Sequence, residues 1–330
     1  MIPKFLEKND KIYLVAPSFG CVMPPYDIRL NKAIDNLKNM GFNLILGPNI
    51  FKGEGLISSN SPKLRAKEIM DAFKSDATAV ISVGGGELMC EILEYIDFNI
   101  IKENQKWFMG FSDNTNLVYT ITINTDMETI YGINAPNFFH EKLEYDSLDS
   151  LRMLMGEKNF MGYKKWTLNS SNKPLYNYTF DKKTRMLNYN FKSYKGRIIG
   201  GCLDCLINLC GTKVDKTKEY INRHKDEGII FFFEACDLNS VSLIRAINQL
   251  KLAGWFDDVS AFIVGRSLNY FDKSFNITMN EAYYYALKDL NKPMLLNCDL
   301  GHLGPSLPIR CGALATVEYK NNNLYITYEE

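Results

Sequence analysis

The chain has 330 residues, of which 46% are hydrophobic and 23% are charged, a composition typical of a folded globular protein. Its 38 basic and 38 acidic side chains balance, so no global field recruits nucleic acid or an anionic membrane surface. The longest purely apolar run, IIFFF, is far shorter than the about 20 residues of a membrane-spanning helix. The first residues lack the apolar core of a signal peptide, and we therefore expect a cytoplasmic protein.

Strands and helices alternate through the first half of the chain. The predicted strands are continuous apolar runs at 11–17, 42–48, 78–86, 106–112 and 128–133. Helical spacing of apolar residues predicts helices at 27–41, 61–75, 87–96 and 113–124. Buried strands that alternate with helices are typical of a parallel sheet covered on both faces.

Residues 166–195 interrupt this alternation, since they are polar and aromatic without a clean period. We interpret them as a linker or an excursion over a binding cleft, between an N-terminal α/β domain at 1–165 and a C-terminal domain at 196–330. In the second half, strands are predicted at 228–236, 260–267 and 292–298, and helices at 240–256 and 278–291. The chain is expected to end in a β-hairpin that turns through its asparagines.

Most of the eight cysteines lie in apolar segments, which indicates reduced core residues. Cys202 and Cys205 form a single C-x-x-C pair. A zinc site would need a second pair or a nearby histidine in the sequence, so this signal is weak and we predict no metal.

The segment WFMGFSDNTNL, residues 107–117, places Ser112 between a predicted strand and a predicted helix. This is the setting of a nucleophile elbow, usually G-x-S-x-G. Asn114 occupies the second glycine position, and asparagine tolerates left-handed backbone better than most residues. The alternative is a plain turn, and a serine nucleophile also requires a base.

Of the three histidines, His302 is the candidate base. It follows a predicted strand and is flanked by Gly301 and Gly304, which allow a tight exposed turn. His140 lies in a charged stretch, and His224 lies at the basic end of a helix, where it would compensate the helix dipole. A hydrogen-bonded structural role is the alternative for His302.

Glu234 is the candidate carboxylate that orients the imidazole. It ends an apolar strand, where a carboxylate is rarely buried without a partner. The alternative is an edge glutamate that reaches water. Asp113 is a rival, but we expect it to cap the helix that follows the serine.

Three glycines in SVGGGE, Gly84 to Gly86, allow backbone N–H groups to approach a ligand closely. Neither the G-x-G-x-x-G spacing nor the P-loop lysine is present, so we favour an oxyanion hole over a phosphate site. Its donors would be Gly85 and the backbone N–H of Asp113, with Gly84 and Gly86 lining the substrate site. A tight strand–helix turn is the alternative.

These candidate residues all lie at the carboxyl ends of predicted strands: Gly84 to Gly86, Ser112, Glu234 and His302. Open α/β sheets bind ligands at that edge. We therefore predict that they meet at one edge and that Ser112 attacks an acyl group.

Seven stretches together resemble the LD-carboxypeptidases of serine peptidase family S66, which includes muramoyltetrapeptide carboxypeptidase and the microcin C immunity peptidases. They are VAPS, SVGGGE, MGFSDNTNL, GRIIGGCLDCL, FFFEAC, VGR and DLGHLGPSLPI. The resemblance implies a Ser112–His302–Glu234 triad, an oxyanion hole at Gly85 and the Asp113 amide, and no metal or cofactor. It also implies an N-terminal flavodoxin-like domain, a C-terminal swivelling α/β domain with a β-rich end, and commonly a homodimer.

Four positions depart from the family pattern: Cys202 and Asp204, where small polar residues are more usual, and Arg310 and Cys311, where glycine is usual. None belongs to the implied triad, so these departures bear on the substrate more than on the chemistry.

The implied substrate is a small peptide-like amide rather than a nucleic-acid polymer or a membrane. Removal of terminal D-alanine from a murein tetrapeptide is the first hypothesis, and cleavage of a peptidyl-nucleotide or aminoacyl-nucleotide amide is the second. Arg266, or less favourably Arg310, would pair with a peptide carboxylate, whereas Trp166 would stack on a nucleobase. A structural salt bridge is the alternative for each arginine, and packing is the alternative for Trp166.

Two other classes stay open. A glutaminase-type amidotransferase shares the N-terminal layout but needs a cysteine where Ser112 stands. A non-catalytic ligand-binding homologue would have lost the triad chemistry.

Overall fold

The computed structural model describes residues 1–168, 175 and 178–329. The chain divides into two compact units. The first contains Met1–Glu157 and Pro308–Arg310, together with described residues between 169 and 179. The second contains Lys158–Leu168 and Phe180–Leu307, and it resumes at Cys311. The predicted excursion at 166–195 includes residues 169–174, 176 and 177, which lie outside the described residues.

The first unit is built on a largely parallel sheet. Its strands β1 to β5 are Lys11–Val15, Asn43–Leu46, Ala79–Ser82, Trp107–Gly110 and Thr129–Tyr131. Their spatial order is β2-β1-β3-β4-β5, and each neighbouring pair is parallel. This is the flavodoxin-like order, and it confirms the predicted α/β class. Strands β3 and β4 are buried along their whole length, as their continuous apolar sequences predict.

Helices connect these strands. The α-helices α1 to α5 are Tyr26–Asn39, Pro62–Lys74, Phe98–Glu103, Thr115–Thr125 and Tyr145–Leu154. Three 3₁₀ segments are Met89–Tyr95, Ser112–Asn114 and Ala135–Phe139. The helix predicted at 87–96 is present as a 3₁₀ segment at Met89–Tyr95. Met89 and Ile92 are buried three residues apart, a spacing that suits the tighter 3₁₀ turn as well as an α-helix.

The second unit contains a larger mixed sheet. The eight strands of this sheet are β6 Asn159–Met161, β9 Leu187–Tyr189, β10 Ser193–Cys202, β11 Ile229–Glu234, β12 Ala261–Gly265, β15 Met294–Cys298, β17 Leu314–Lys320 and β18 Asn323–Tyr328. Two separate two-stranded ribbons are formed by β7 Lys165–Trp166 with β8 Lys182–Lys183, and by β13 Lys273–Ser274 with β14 Ile277–Thr278. The remaining strand late in the chain is β16 Ile309–Cys311. The order in the mixed sheet is β6-β18-β17-β10-β11-β12-β15-β9. The four strands from β10 to β15 in this order are parallel, and antiparallel strands flank them. Strand β16 instead lies beside β5 in the first sheet.

The helices of the second unit are α6 Leu203–Leu209, α7 Thr217–His224, α8 Ser240–Leu252 and α9 Met279–Leu287, with 3₁₀ turns at Lys225–Glu227 and Lys288–Leu290. The predicted terminal hairpin is present as β17 and β18. Asn321 and Asn322 turn it with φ of 53° and 57°, the left-handed pair of a type I′ turn. Among the described residues, no helix combines the length and apolarity needed to cross a membrane.

Candidate active site

Ser112 lies two residues beyond β4, on a left-handed backbone with φ of 64°. Few residues other than glycine adopt this conformation, and it concentrates at functional sites. The strained serine between a strand and a helix matches the nucleophile-elbow geometry that the sequence predicts.

Packing at Gly110 and Asn114 fixes this turn. A Cβ on Gly110 would lie 2.6 Å from Cβ of Asn114, so glycine is required there. The Asn114 amide donates to the carbonyl oxygens of Gly84 and Phe111, both at 2.9 Å. Asn114, in the second glycine position of the motif, is not left-handed, because its φ is −63°. The left-handed position is Ser112.

The glycine loop packs directly against the serine. A Cβ on Gly85 would lie 3.1 Å from Ser112 Cβ and 3.4 Å from its Oγ. A side chain at position 85 would therefore be crowded against Ser112, and the serine would have to shift to accommodate it. Gly86 has φ of 152°, and a Cβ on it would lie 2.2 Å from Ser18 Oγ. The loop is thus held between Ser112 and the segment that carries Ser18.

Asp113 ties the same parts together. Its buried carboxylate accepts hydrogen bonds from the Ser18 hydroxyl, from the Met89 backbone N–H at 2.9 Å and from the Asn116 side chain at 2.9 Å. Burial raises the pKa of Asp113, and the bonds from Ser18 and Met89 oppose that rise. We expected Asp113 to cap helix α4, but Asn114 occupies the N-cap position. That prediction is therefore wrong.

The second unit brings Glu234 and His302 together. Glu234 is the last residue of β11, and its side chain is fully buried. His302 follows β15, and its Nδ1 lies 2.9 Å from Oε2 of Glu234. A carboxylate in this place fixes the ring orientation and places a proton on Nδ1, which leaves Nε2 to accept one.

Two glycines make room for this carboxylate. A Cβ on Gly301 would lie 2.6 Å from Glu234 Oε2, and a Cβ on Gly265 would lie 2.8 Å from Glu234 Cβ. Gly301 also has φ of 101°, which disfavours any side chain. Gly301 therefore allows both the turn before His302 and the close approach of Glu234.

The environment of His302 favours its protonated form. Burial by itself would lower the pKa of His302, but the negative charge of Glu234 and a hydrogen bond to the Cys236 side chain raise it well above 6.5. Burial raises the pKa of the Cys236 thiol, and the contact with His302 opposes that rise. Cys236 is a partner of His302 that the sequence analysis did not identify.

The candidate residues lie at the carboxyl ends of strands, but they belong to two different sheets. Gly85 and Ser112 follow β3 and β4 of the first sheet, whereas Glu234 and His302 follow β11 and β15 of the second. The prediction of a single sheet edge is therefore wrong. The alternating pattern predicts strands but does not tell which sheet each strand joins.

Arg266 and Trp166 pack on each other inside the second unit. Arg266 is 1% exposed and pairs with the fully buried Asp299. Its guanidinium lies 4.9 Å from the centre of the Trp166 ring, which also packs against Tyr270. This burial supports the alternatives given above, a structural salt bridge for Arg266 and packing for Trp166.

Arg310 is buried within the first unit. Its Nε donates to Oε2 of Glu128 at 2.9 Å, and its guanidinium lies over the rings of Phe5 and Trp107. These contacts likewise support a structural salt bridge.

The cysteines are thiols, and five of the eight are buried. Cys202 and Cys205 hydrogen-bond to each other through their side chains. Within the described ranges, no group of three or more His, Cys, Asp or Glu side chains is arranged to hold a metal ion.

Comparison with known proteins defines the class of this chain as a serine peptidase. Residues 12–132 match the model of the LD-carboxypeptidase N-terminal domain, and residues 195–317 match that of the LD-carboxypeptidase C-terminal domain. The chain belongs to the LD-carboxypeptidase family.

Curated relatives carry two kinds of name. The chain is 27% identical to the microcin C7 self-immunity protein MccF of Escherichia coli, over 91% of this chain and 88% of that protein. It is 25% identical to a probable murein peptide carboxypeptidase of Bacillus subtilis (strain 168), over 96% and 91%.

Solved structures share the fold over the full chain. An MccF-like protein from Bacillus anthracis str. Ames superposes with a TM-score of 0.86 at 23% identity, covering 100% of both chains. A muramoyltetrapeptide carboxypeptidase from Oxalobacter formigenes gives a TM-score of 0.74 at 20% identity, covering 97% of this chain and 99% of that one.

Proposed function

We propose that this peptidase hydrolyses an amide bond with a Ser112–His302–Glu234 triad. The observation that carries the proposal is the 2.9 Å contact between Glu234 and His302 Nδ1, because it leaves Nε2 as the base that a serine nucleophile needs. The strained backbone of Ser112 supports its role as the nucleophile.

In the proposed reaction, Ser112 Oγ attacks the carbonyl carbon while His302 takes the hydroxyl proton. The backbone N–H of Asp113, with an N–H at Gly85, stabilises the oxyanion. His302 then donates the proton to the leaving amine, which departs and leaves an acyl-serine. Water repeats the sequence on the acyl-serine and releases the new carboxylate.

We propose a small peptide substrate, with removal of terminal D-alanine from a murein tetrapeptide as the activity. The relative named as a probable murein peptide carboxypeptidase supports this substrate. The burial of Trp166 beneath Arg266 weighs against the aromatic platform that the nucleotide hypothesis requires. The relative named MccF keeps cleavage of a peptidyl-nucleotide or aminoacyl-nucleotide amide as the second candidate.

The test offers the purified protein two substrates, the tetrapeptide L-Ala–D-Glu–diaminopimelate–D-Ala and an aminoacyl sulfamoyl adenylate. Release of D-alanine, with the adenylate left intact, is the expected result. Cleavage of the adenylate alone would overturn the peptide proposal in favour of the second candidate.

A fluorophosphonate probe separates the enzyme from a non-catalytic homologue. We expect the wild-type protein to be labelled covalently on Ser112, and Ser112→Ala to resist labelling. Labelling that persists unchanged in Ser112→Ala would contradict the assigned nucleophile.

A further inference from the structure

Asp204, in the first turn of α6, accepts hydrogen bonds from three consecutive backbone N–H groups. Oδ2 accepts from Cys236 at 2.9 Å, and Oδ1 accepts from Asp237 at 2.9 Å and from Leu238 at 3.1 Å. These amides come just after Glu234, the last residue of β11. One carboxylate therefore holds the backbone that leaves the strand at Glu234.

His302 contacts two side chains of this same short segment. Its Nδ1 meets Glu234 at 2.9 Å, and the Cys236 side chain hydrogen-bonds to the imidazole. Because Glu234 and Cys236 are two residues apart, the backbone between them decides whether both can reach the ring. Asp204 fixes the far end of that backbone.

The strand register places Asp204 beside the backbone segment that follows Glu234. Cys202 pairs with Glu234 across the parallel strands β10 and β11, and the Cys202 thiol lies 3.5 Å from Oδ2 of Asp204. Helix α6 begins directly after Cys202, so its first turn meets the segment that follows Glu234. The Asp204 side chain supplies the two carboxylate oxygens that hold the three amides.

We propose that Asp204 is a positioning residue that aligns Glu234 and Cys236 with His302. The inference rests on the proposed role of His302 as the catalytic base. Asp204 acts through the backbone of residues 236–238, and its loss leaves three amides without their acceptor.

The charges around the imidazole give the direction of the effect. Glu234 and Cys236 face His302 and both raise its pKa, against burial, which lowers it. Cys202 and Tyr283 lie near Glu234. Their pKa values are well above the ordinary range, for Cys202 because of its bond to Cys205 and burial, and for Tyr283 because of burial. Both stay neutral at neutral pH, so loosening the contacts of Glu234 and Cys236 should lower the pKa of His302.

The experiment follows the histidine ring signals by NMR during a pH titration of the full-length protein. The chain has three histidines, and His302→Gln assigns the signal of interest. In Asp204→Ala we expect the His302 midpoint to fall by roughly one pH unit, and kcat to fall about 10- to 100-fold. Asp204→Asn keeps one acceptor oxygen and should show a smaller change of the same sign.

Asp215→Asn is the matched control. Asp215 also accepts backbone N–H groups in the second unit, from Gly211 at 2.8 Å and Thr217 at 3.0 Å. Its partners lie outside the segment after β11, so its loss should lower stability without moving the His302 titration.

A His302 midpoint that is unchanged or raised in both Asp204 variants would overturn the proposal. The titration requires no turnover, so it separates this inference from the proposed function. If the midpoint falls while wild-type protein cleaves neither substrate, the positioning role stands and the proposed activity fails. If the wild-type protein is active but the His302 midpoint in the Asp204 variants matches that of Asp215→Asn, the proposed activity stands and the positioning role fails.

Discussion

Ser112 combines a chemical demand with a conformational one. Its hydroxyl is the proposed nucleophile, while its φ of 64° is one that a residue with a Cβ adopts at a cost of about 1–2 kcal/mol. The residue best suited to the backbone is therefore glycine, which has no hydroxyl. Activity and stability should thus respond differently to substitution here.

We expect Ser112→Ala and Ser112→Gly both to lose kcat by roughly 10⁴- to 10⁶-fold. Ser112→Gly should nevertheless unfold with a free energy about 1 kcal/mol larger than that of Ser112→Ala, since glycine relieves the strain. Urea denaturation measures the difference. Near-normal turnover in either variant would end the triad hypothesis, and equal stabilities would contradict the strain.

Glu234 should control both the rate and its pH dependence. The base must be neutral to accept the serine proton, and the pKa of His302 is raised well above 6.5. The acid limb of kcat/KM should therefore lie above pH 6.5 in the wild-type enzyme. Glu234→Gln removes the charge that raises this pKa while burial remains, so the limb should move to lower pH. The plateau should fall about 10⁴-fold, as for other triads that lose the orienting carboxylate.

Glu227→Gln is the control for this profile. Glu227 lies 2.9 Å from Nδ1 of His224, which is the same separation in a more exposed pair. The Glu227→Gln substitution should leave the pH profile of kcat/KM unchanged. An acid limb that stays in place in Glu234→Gln would contradict the pairing.

The same shift links folding to pH. A histidine whose pKa is higher in the folded state binds protons more tightly there, so its contribution to stability is full below its unfolded pKa. That contribution is lost as the pH rises through the raised folded value. The His302–Glu234 pair should therefore stabilise the protein more in mildly acidic than in alkaline solution.

At the scale of elements, the loop after β15 depends on one glycine. A Cβ on Gly301 would lie 2.6 Å from Oε2 of Glu234, in addition to the strain of φ 101°. We expect Gly301→Ala to push Glu234 away from the imidazole and to lower kcat about 100-fold. Steady-state kinetics measures the loss.

Gly211→Ala isolates the contact from the strain. Gly211 has φ of 79°, and a Cβ on it would have nothing within 4 Å. Both substitutions should cost about 1–2 kcal/mol of stability through the backbone. Only Gly301→Ala should lose activity, and an equal loss in both variants would refute the role of the contact.

Elements with a strong local signal could be predicted from the sequence. The apolar runs gave the strands that end near Ser112 and Glu234, and the asparagine turn gave the terminal hairpin. Strand Leu187–Tyr189 was missed, because its three residues pair antiparallel with β15 and carry no run of their own. Helix Tyr145–Leu154 was also missed.

At the scale of the molecule, the sequence identified candidate site residues but not the side chains that contact them. Ser112, Glu234 and His302 were proposed from their positions after predicted strands, and their catalytic roles stay predictions. The partners Cys236 and Asp204 were not assigned roles, because contacts between residues tens of positions apart leave no periodic trace in one sequence. The burial of Arg266 with Asp299 was likewise hidden, since an arginine after a strand looks the same whether its partner is a ligand or a carboxylate.

Strand β16 has a consequence for dissecting the protein. Residues 308–310 belong to the first unit, although the chain on either side of them belongs to the second. A fragment cut at residue 157 would keep β4 beside Thr129–Tyr131 but would lose β16 from the other edge of that strand. It would also remove Arg310 from the buried carboxylate of Glu128. An uncovered strand edge and an uncompensated buried charge both favour aggregation and unfolding. Each half of this enzyme is thus encoded in pieces, and neither can be obtained whole by dividing the gene at a single point.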